Sequence, residues 1–289
     1  MRKARIVPQV EYFVDKEPYY EPVGNEVEVF DMAFNLRRPL ALLGPTGCGK
    51  TALANYMTWR IRQKLIKESG DKGLHFPYIE VPCHEDLTIG DLVGRYGLKG
   101  EWLPGPLYTG ALNGGIVLLD EIVEARKDAV VMIHALTDDR RHLPLPQKGE
   151  VIIPPEDFMI VICYNPGYQV KAKDLKPSTR QRFVTLEMDY PPNLLEEKII
   201  IKHTGVDPEI ASQLVSLGDN IRKAAREANQ LNLQEGASTR LLIRAAEFYH
   251  AIEQSGATPN LRDIARYTIF SPISTEDTDR KVLEEMLSW

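Results

Sequence analysis

The sequence predicts an α/β domain on a mostly parallel sheet with helices on both faces, followed by a domain made of helices. Three observations carry this. Short, unbroken apolar runs of the kind that form strands buried on both faces recur through the first two thirds of the chain, helical stretches separate them, and such runs vanish after Pro191-Pro192. At 289 residues the chain lies near the size at which one core gives way to two. The expected division is an N-terminal arm over 1–23, an α/β domain over 24–190 and a helical lid domain over 191–289.

The arm is expected to be extended, because Pro8, Pro18 and Pro22 stand among its aromatic and charged residues. A helix follows, with Asn25 as N-cap, Glu28 three residues on, and Val27, Phe30 and Phe34 on one side, ending before Pro39. The first strand is Leu40-Ala41-Leu42-Leu43, and further strands are expected at 78–81, 116–119, 159–163 and 183–186, with helices over 53–66 and 129–136. Two short β-like pieces between Arg141 and Ile153 flank Gln147-Lys148-Gly149-Glu150 and read as a hairpin inserted before the fourth main strand. Beyond the double proline, helices are expected over 194–203, 208–232, 239–254, 261–267 and 277–287.

Composition narrows the function classes. Hydrophobic residues at 43% and charged residues at 26% describe an ordinary globular chain, which removes disordered and fibrous readings. No run approaches the roughly 20 apolar residues of a membrane helix, and Met1-Arg2-Lys3-Ala4-Arg5 leads into no apolar segment, so the expectation is a cytoplasmic protein without membrane insertion. Cys48, Cys83 and Cys163 lie too far apart for a zinc cluster and read as reduced thiols. A formal charge of -6 disfavours nucleic acid as a partner.

Chemistry enters directly after the first strand. Gly44-Pro45-Thr46-Gly47-Cys48-Gly49-Lys50-Thr51 fits the phosphate-loop pattern G-x-x-x-x-G-K-[ST] in full, between a buried-strand pattern and a helical one. Glycines let successive backbone N–H groups curl around phosphate oxygens while the next helix presents its positive end. Lys50 would reach the β and γ phosphates of ATP, and the Thr51 hydroxyl would ligate Mg²⁺. Cys48 has no required chemistry in the loop. The later run Ile116-Val117-Leu118-Leu119 ends in Asp120-Glu121: the aspartate would hold the metal's water shell and the glutamate would polarise an attacking water. A carboxylate base beside a metal carboxylate favours hydrolysis over transfer to a small metabolite.

Three strings then resemble the AAA+ superfamily, its MoxR group, and most closely the CbbQ/NirQ/NorQ subgroup. They are Leu119-Asp120-Glu121-Ile122-Val123-Glu124-Ala125-Arg126, Tyr164-Asn165-Pro166-Gly167-Tyr168-Gln169 and Lys176-Pro177-Ser178-Thr179-Arg180-Gln181-Arg182-Phe183. By that resemblance Asn165 is a sensor of the γ-phosphate or of the water; on the residues alone, Asn-Pro-Gly is a turn signal. Arg180 or Arg182 would be the finger offered to a neighbouring subunit, and Arg240, opening a helix behind Ser238 or Thr239 as cap, the second sensor. The resemblance further implies a P-loop ATPase that forms a homo-hexamer and remodels a protein client together with a von Willebrand factor A domain partner. Rubisco activation is the first reading of the client and nitric oxide reductase maturation the alternative. The stretch 88–106, with Leu92, Val93, Tyr96, Leu98 and Trp102 among four glycines, either grips a polypeptide in the ring's pore or packs under the hairpin.

Overall fold

The computed structural model describes residues 13–166, 175–226, 233 and 235–286. Residues 1–12 of the arm, Gly167, Tyr168 and Gln169 of the second string, residues 227–232 at the end of a predicted helix and Leu287 lie outside the described residues. The chain divides into two compact units: residues up to Leu43 with Lys50–Glu187, and Gly44–Gly49 with the chain from Met188 onward.

In the first unit, α1 (Glu26–Asn35) buries Val27, Phe30 and Phe34, as the spacing predicts, but its start is built differently. Asn25 makes no side-chain cap. Instead the Glu26 carboxylate accepts the Val23 and Gly24 N–H groups at 2.7 Å each and the Tyr20 hydroxyl at 2.9 Å. Burial works against the Glu26 charge, yet these donors outweigh it and hold the carboxyl below its usual range.

The strands are β1 (Leu40–Leu43), β2 (Tyr78–Pro82), β3 (Gly94–Tyr96), β4 (Trp102–Pro104), β5 (Gly115–Asp120), β6 (Leu143–Leu145), β7 (Glu150–Ile152), β8 (Phe158–Tyr164) and β9 (Val184–Glu187). Five of them form the main sheet in the order β2-β5-β8-β1-β9, every neighbouring pair parallel. Leu118, Val161 and Leu40 lie side by side across it and are fully buried, which is why those runs lack polar alternation. Helix α2 (Lys50–Ser69) follows the phosphate loop. Then come α3 (Ile89–Val93), α4 (Pro106–Asn113), a 3₁₀ turn at Ile122–Glu124, α5 (Lys127–Met132), α6 (His134–Thr137) and α7 (Pro177–Arg180). The single helix expected over 129–136 is thus two short ones meeting at the buried Ile133.

Two antiparallel hairpins stand apart from the main sheet. β6 and β7 form the predicted insertion. The stretch 88–106 is no plain loop. Thr88 and Asp91 form a reciprocal capping box that starts α3, and β3 pairs with β4. Gly94 turns the chain there at φ +130°, and a Cβ at that position would lie 2.6 Å from the Trp102 ring. Trp102 packs edge-on against Tyr96, and Lys148 from the second hairpin sits 5.5 Å over Trp102 and 5.3 Å over Tyr108. Leu92 and Val93 are buried, while Leu98 at the hairpin tip is fully exposed.

In the second unit the described residues beyond the strands are helical: α8 (Asn193–Thr204), α9 (Pro208–Arg226), α10 (Thr239–Gln254), α11 (Leu261–Ala265), a π turn at Arg266–Phe270, α12 (Ser271–Ile273) and α13 (Asp277–Glu285). Leu214, Ile221, Leu242, Ala246 and Phe270 form its apolar centre. Inside it Glu196, fully buried, takes both terminal nitrogens of Arg222 at 2.7 and 2.8 Å and the Thr239 hydroxyl at 2.5 Å. Removing one member of such a pair leaves a buried charge uncompensated and costs ~3–5 kcal/mol.

Candidate functional site

Parallel strands present all their carboxyl ends at one edge of the sheet, where open α/β folds bind ligands. The first unit gathers most of the predicted residues there. Leu43 of β1 is level with Tyr164 of β8, and Leu119 of β5 with Ile162. Asp120 and the end of β1 therefore flank β8, about 10 Å apart at two strand spacings. Asn165, buried, is the first residue beyond β8. Lys50 opens α2 and is itself 7% exposed, with Thr51 beside it half-buried.

The carboxylate pair has two unlike members. Asp120 ends a strand whose preceding five residues are all buried, and it is the first to reach solvent. Glu121 turns sharply away with φ 52° and ψ 47°, a left-handed conformation that is costly for a residue with a Cβ and that concentrates at functional sites. Behind them Cys83 donates its N–H to the Asp120 carbonyl at 2.8 Å. Burial, with the charges of Asp120 and Glu121, pushes its thiol up to about 12, so it stays protonated and offers no nucleophile. All three cysteines are buried and none is in a disulfide, in keeping with reduced thiols.

The phosphate loop itself belongs to the second unit, and residues far away in sequence hold it. Tyr190 donates its hydroxyl to the Thr46 carbonyl at 3.2 Å, and Glu235 accepts the Thr46 N–H at 3.4 Å and its hydroxyl at 3.3 Å. Gly47 has φ +72°, and a Cβ there would lie 2.9 Å from Ser238 and 3.1 Å from the Cβ of Arg240. Any larger residue would push the start of α10 off the loop. Arg240 thus roots against the loop, behind Ser238, whose side chain caps α10 by accepting the Leu241 N–H. The Arg222 guanidinium stacks 4.0 Å from the Tyr190 ring centroid, so Glu196, Arg222 and Tyr190 make one relay ending on the loop. Burial raises the Tyr190 phenol well above its ordinary value, which keeps the hydroxyl a donor. Neither Tyr190 nor Glu235 carries a local signal, because their partner lies 144 and 189 residues away.

Arg180 and Arg182 are not with the others. Both precede β9, whose first residue donates its N–H to the Pro39 carbonyl at the start of β1, so they stand at the amino edge of the sheet. Arg182 donates to Asp138 at 2.8 Å and to the Ser178 carbonyl. Arg140 donates to the other oxygen of the same carboxylate at 3.2 Å. Arg180, at the end of α7, is exposed.

Oxygen donors on Thr51 and Asp120 suit Mg²⁺, which takes one or two protein oxygens and completes its octahedron with phosphates and water. Among the described residues no helix is long and apolar enough to cross a membrane.

Residues 39–183 match the family described as AAA domain (dynein-related subfamily), and residues 196–288 match CbbQ/NirQ/NorQ C-terminal. Protein CbbQ of Hydrogenophilus thermoluteolus is 48% identical over 81% of this chain and 83% of its own. The denitrification regulatory protein NirQ of Pseudomonas aeruginosa is 44% identical over 91% and 93%, and protein NorQ of Paracoccus denitrificans 45% over 79% and 80%. Among solved structures, a RuvB mutant of Thermotoga maritima superposes with a TM-score of 0.55 at 17% identity, covering 86% of this chain and 70% of that one, a likeness of fold alone. With the phosphate loop after β1, the acidic pair after β5 and both halves of the chain matched, the protein belongs to the CbbQ/NirQ/NorQ family of AAA+ ATPases.

Proposed function

We propose that the chain is an ATP-hydrolysing motor that works as a homo-hexamer and remodels a protein client together with a von Willebrand factor A domain adaptor. The observation that carries the reading is the separation of the site's parts. Lys50, Asp120, Glu121 and Asn165 share the carboxyl edge of one sheet, whereas Arg180 and Arg182 occupy its amino edge. Arginines so placed serve a nucleotide held by another copy, which makes hydrolysis depend on assembly.

In this reading Gly44, Pro45, Thr46, Gly47, Cys48 and Gly49 wrap the phosphates through their backbone, and Lys50 neutralises the β and γ groups. Thr51 and Asp120 hold Mg²⁺, which supplies charge neutralisation when bound. Glu121 accepts the proton of the attacking water, and Asn165 orients that water or the γ-phosphate. Arg240, rooted on the loop, reports the nucleotide's state to the helical unit. The site is expected in the cytoplasm, and its work falls on protein rather than nucleic acid, in keeping with the net charge of -6. The exposed tip at Leu98 between β3 and β4 is the surface offered to a polypeptide.

Rubisco is the first reading of the client, supported by the CbbQ relative at 48% identity. Nitric oxide reductase is the second, supported by the NirQ and NorQ relatives at 44% and 45%. An ATPase assay of the purified chain tests both, run alone, with its adaptor, and with inhibited Rubisco, nitric oxide reductase or DNA. Stimulation by adaptor plus one protein client is the expected result. Stimulation by DNA alone, or no turnover in any mixture, contradicts the proposal.

A further inference from the structure

A pocket of about 170 Å³ opens at the amino edge of the main sheet, lined by Arg37, Arg38 and Arg141 together with Thr137, Asp138 and Asp139. None of its arginines belongs to the phosphate loop or to the predicted fingers.

Three features set it apart from an ordinary charged surface. The first is backbone conformation. Among the described residues only Arg37 (φ 56°), Glu121 (φ 52°) and Arg141 (φ 42°) are non-glycine residues in the left-handed region. One is the candidate base, and the other two line this pocket. Both conformations have a local cause that fixes these residues at the pocket: Arg37 closes α1 as the left-handed residue after its last turn, its N–H on the Phe34 carbonyl and that of Arg38 on the Ala33 carbonyl, and Arg141 closes the turn after α6, its N–H on the Asp138 carbonyl.

The second is electrostatic. Arg141 is half-buried and donates to the Phe158 carbonyl at 2.9 Å; burial and then the nearby charge of Arg37 both pull its pKa down, with Glu156 opposing. Two guanidinium groups that line one pocket and raise each other's electrostatic cost form an arrangement that an anion relieves. The third is the balance of charge. Arg37 pairs with Glu156 at 2.5 Å and Arg38 with Asp139 at 2.7 Å, but those carboxylates are 79% and 89% exposed and free to swing into solvent. Asp138 is already engaged by Arg140 and Arg182. Five arginines against three carboxylates leave a local excess of positive charge on a chain whose net charge is -6.

We propose that this pocket is a second oxyanion site, binding a phosphate group through the guanidinium forks of Arg37, Arg38 and Arg141. Planar forks with several donors match the tetrahedral oxygens of phosphate. The phosphate comes either from solution, as inorganic phosphate or a phosphate monoester, or from the nucleotide of an adjacent copy in the ring.

The test uses the full chain and inorganic phosphate, with ionic strength held constant by NaCl. In a Lys50→Ala background, which weakens phosphate binding at the loop, inorganic phosphate is titrated into nucleotide-free chain and Tm is followed. An Arg37→Gln, Arg38→Gln double variant is compared, because both side chains are exposed and their loss spares the Arg141 bond to Phe158. A saturable rise in Tm whose midpoint moves at least tenfold in the double variant assigns the site to an anion from solution. In the second arm, with Lys50 intact, ATP is added below and above the concentration at which the chain assembles. A stabilisation that appears only on assembly and falls in the double variant assigns the phosphate to the neighbour's nucleotide. If neither arm depends on Arg37 and Arg38, or if chloride at the same ionic strength reproduces the phosphate response, the proposal is overturned.

Discussion

The two ends of the parallel sheet carry opposite chemistry. At the carboxyl end, Asp120 and Glu121 follow a strand buried throughout, and Lys50 opens the helix beyond the phosphate loop. At the amino end stand the arginines, two of them locked on one carboxylate and Arg180 left exposed. In the function proposed above, a single copy holds the metal-binding and base-bearing half of a hydrolytic site at one edge and the charge-stabilising half at the other. On that reading, the difference makes hydrolysis depend on contacts between copies.

The largest test of that contrast falls on the arginines. Arg180→Ala is expected to lower kcat by about 10³-fold or more, the range for a finger supplied to a transferring phosphoryl group. Arg182 is already held by Asp138 and the Ser178 carbonyl. On the proposed function it is a positioning residue, so Arg182→Ala is expected to cost about tenfold, ATPase assays of the two variants giving the ratio. At the other edge, Glu121→Gln is expected to reduce kcat by ~10²–10⁴-fold while leaving ATP affinity near the parent value, read by turnover and by calorimetric titration. Lys50→Ala is expected to weaken ATP binding by about 30-fold or more, since it removes a charge placed against phosphate.

The smallest effect concerns Asp138. Burial opposes its charge, but Arg140 and Arg182 outweigh that and hold its pKa below the ordinary carboxylate range. Its folded value being depressed, the stability it contributes is present above the ordinary carboxylate pKa and is lost as pH falls through the depressed value. Asp138→Asn is therefore expected to lower Tm at neutral pH by at most about 2–4 °C and to flatten the acid limb of Tm against pH.

The elements that were legible in the sequence are those whose reason is local. Leu40–Leu43 and Gly115–Asp120 show as strands because burial on both faces demands a continuous apolar run, and the phosphate loop because close backbone approach demands its glycines. The three-residue strands Gly94–Tyr96 and Trp102–Pro104 are too short for a period to show, and what holds them is the packing of Trp102, edge-on against Tyr96, tilted against Tyr108 and under the Lys148 ammonium. The grip of Tyr190 and Glu235 on Thr46 is a long-range contact with no pattern along the chain. The start of α1 shows competition between caps: Asn25 has the right identity and position, yet the Glu26 carboxylate reaches three donors at once. The left-handed backbone of Arg37 and Arg141 has no sequence signal at all, since arginine is not a residue that prefers it.

The most direct measurement of the central claim mixes two inactive chains. A Glu121→Gln chain keeps the arginines of the amino edge, and an Arg180→Ala, Arg182→Ala chain keeps the carboxyl edge. If the two halves act across a junction between copies, ATPase activity returns on mixing, because an intact Glu121 in one copy meets intact arginines from the other. Activity that stays at the sum of the separate chains, or a double arginine variant as active as the parent by itself, would contradict the account.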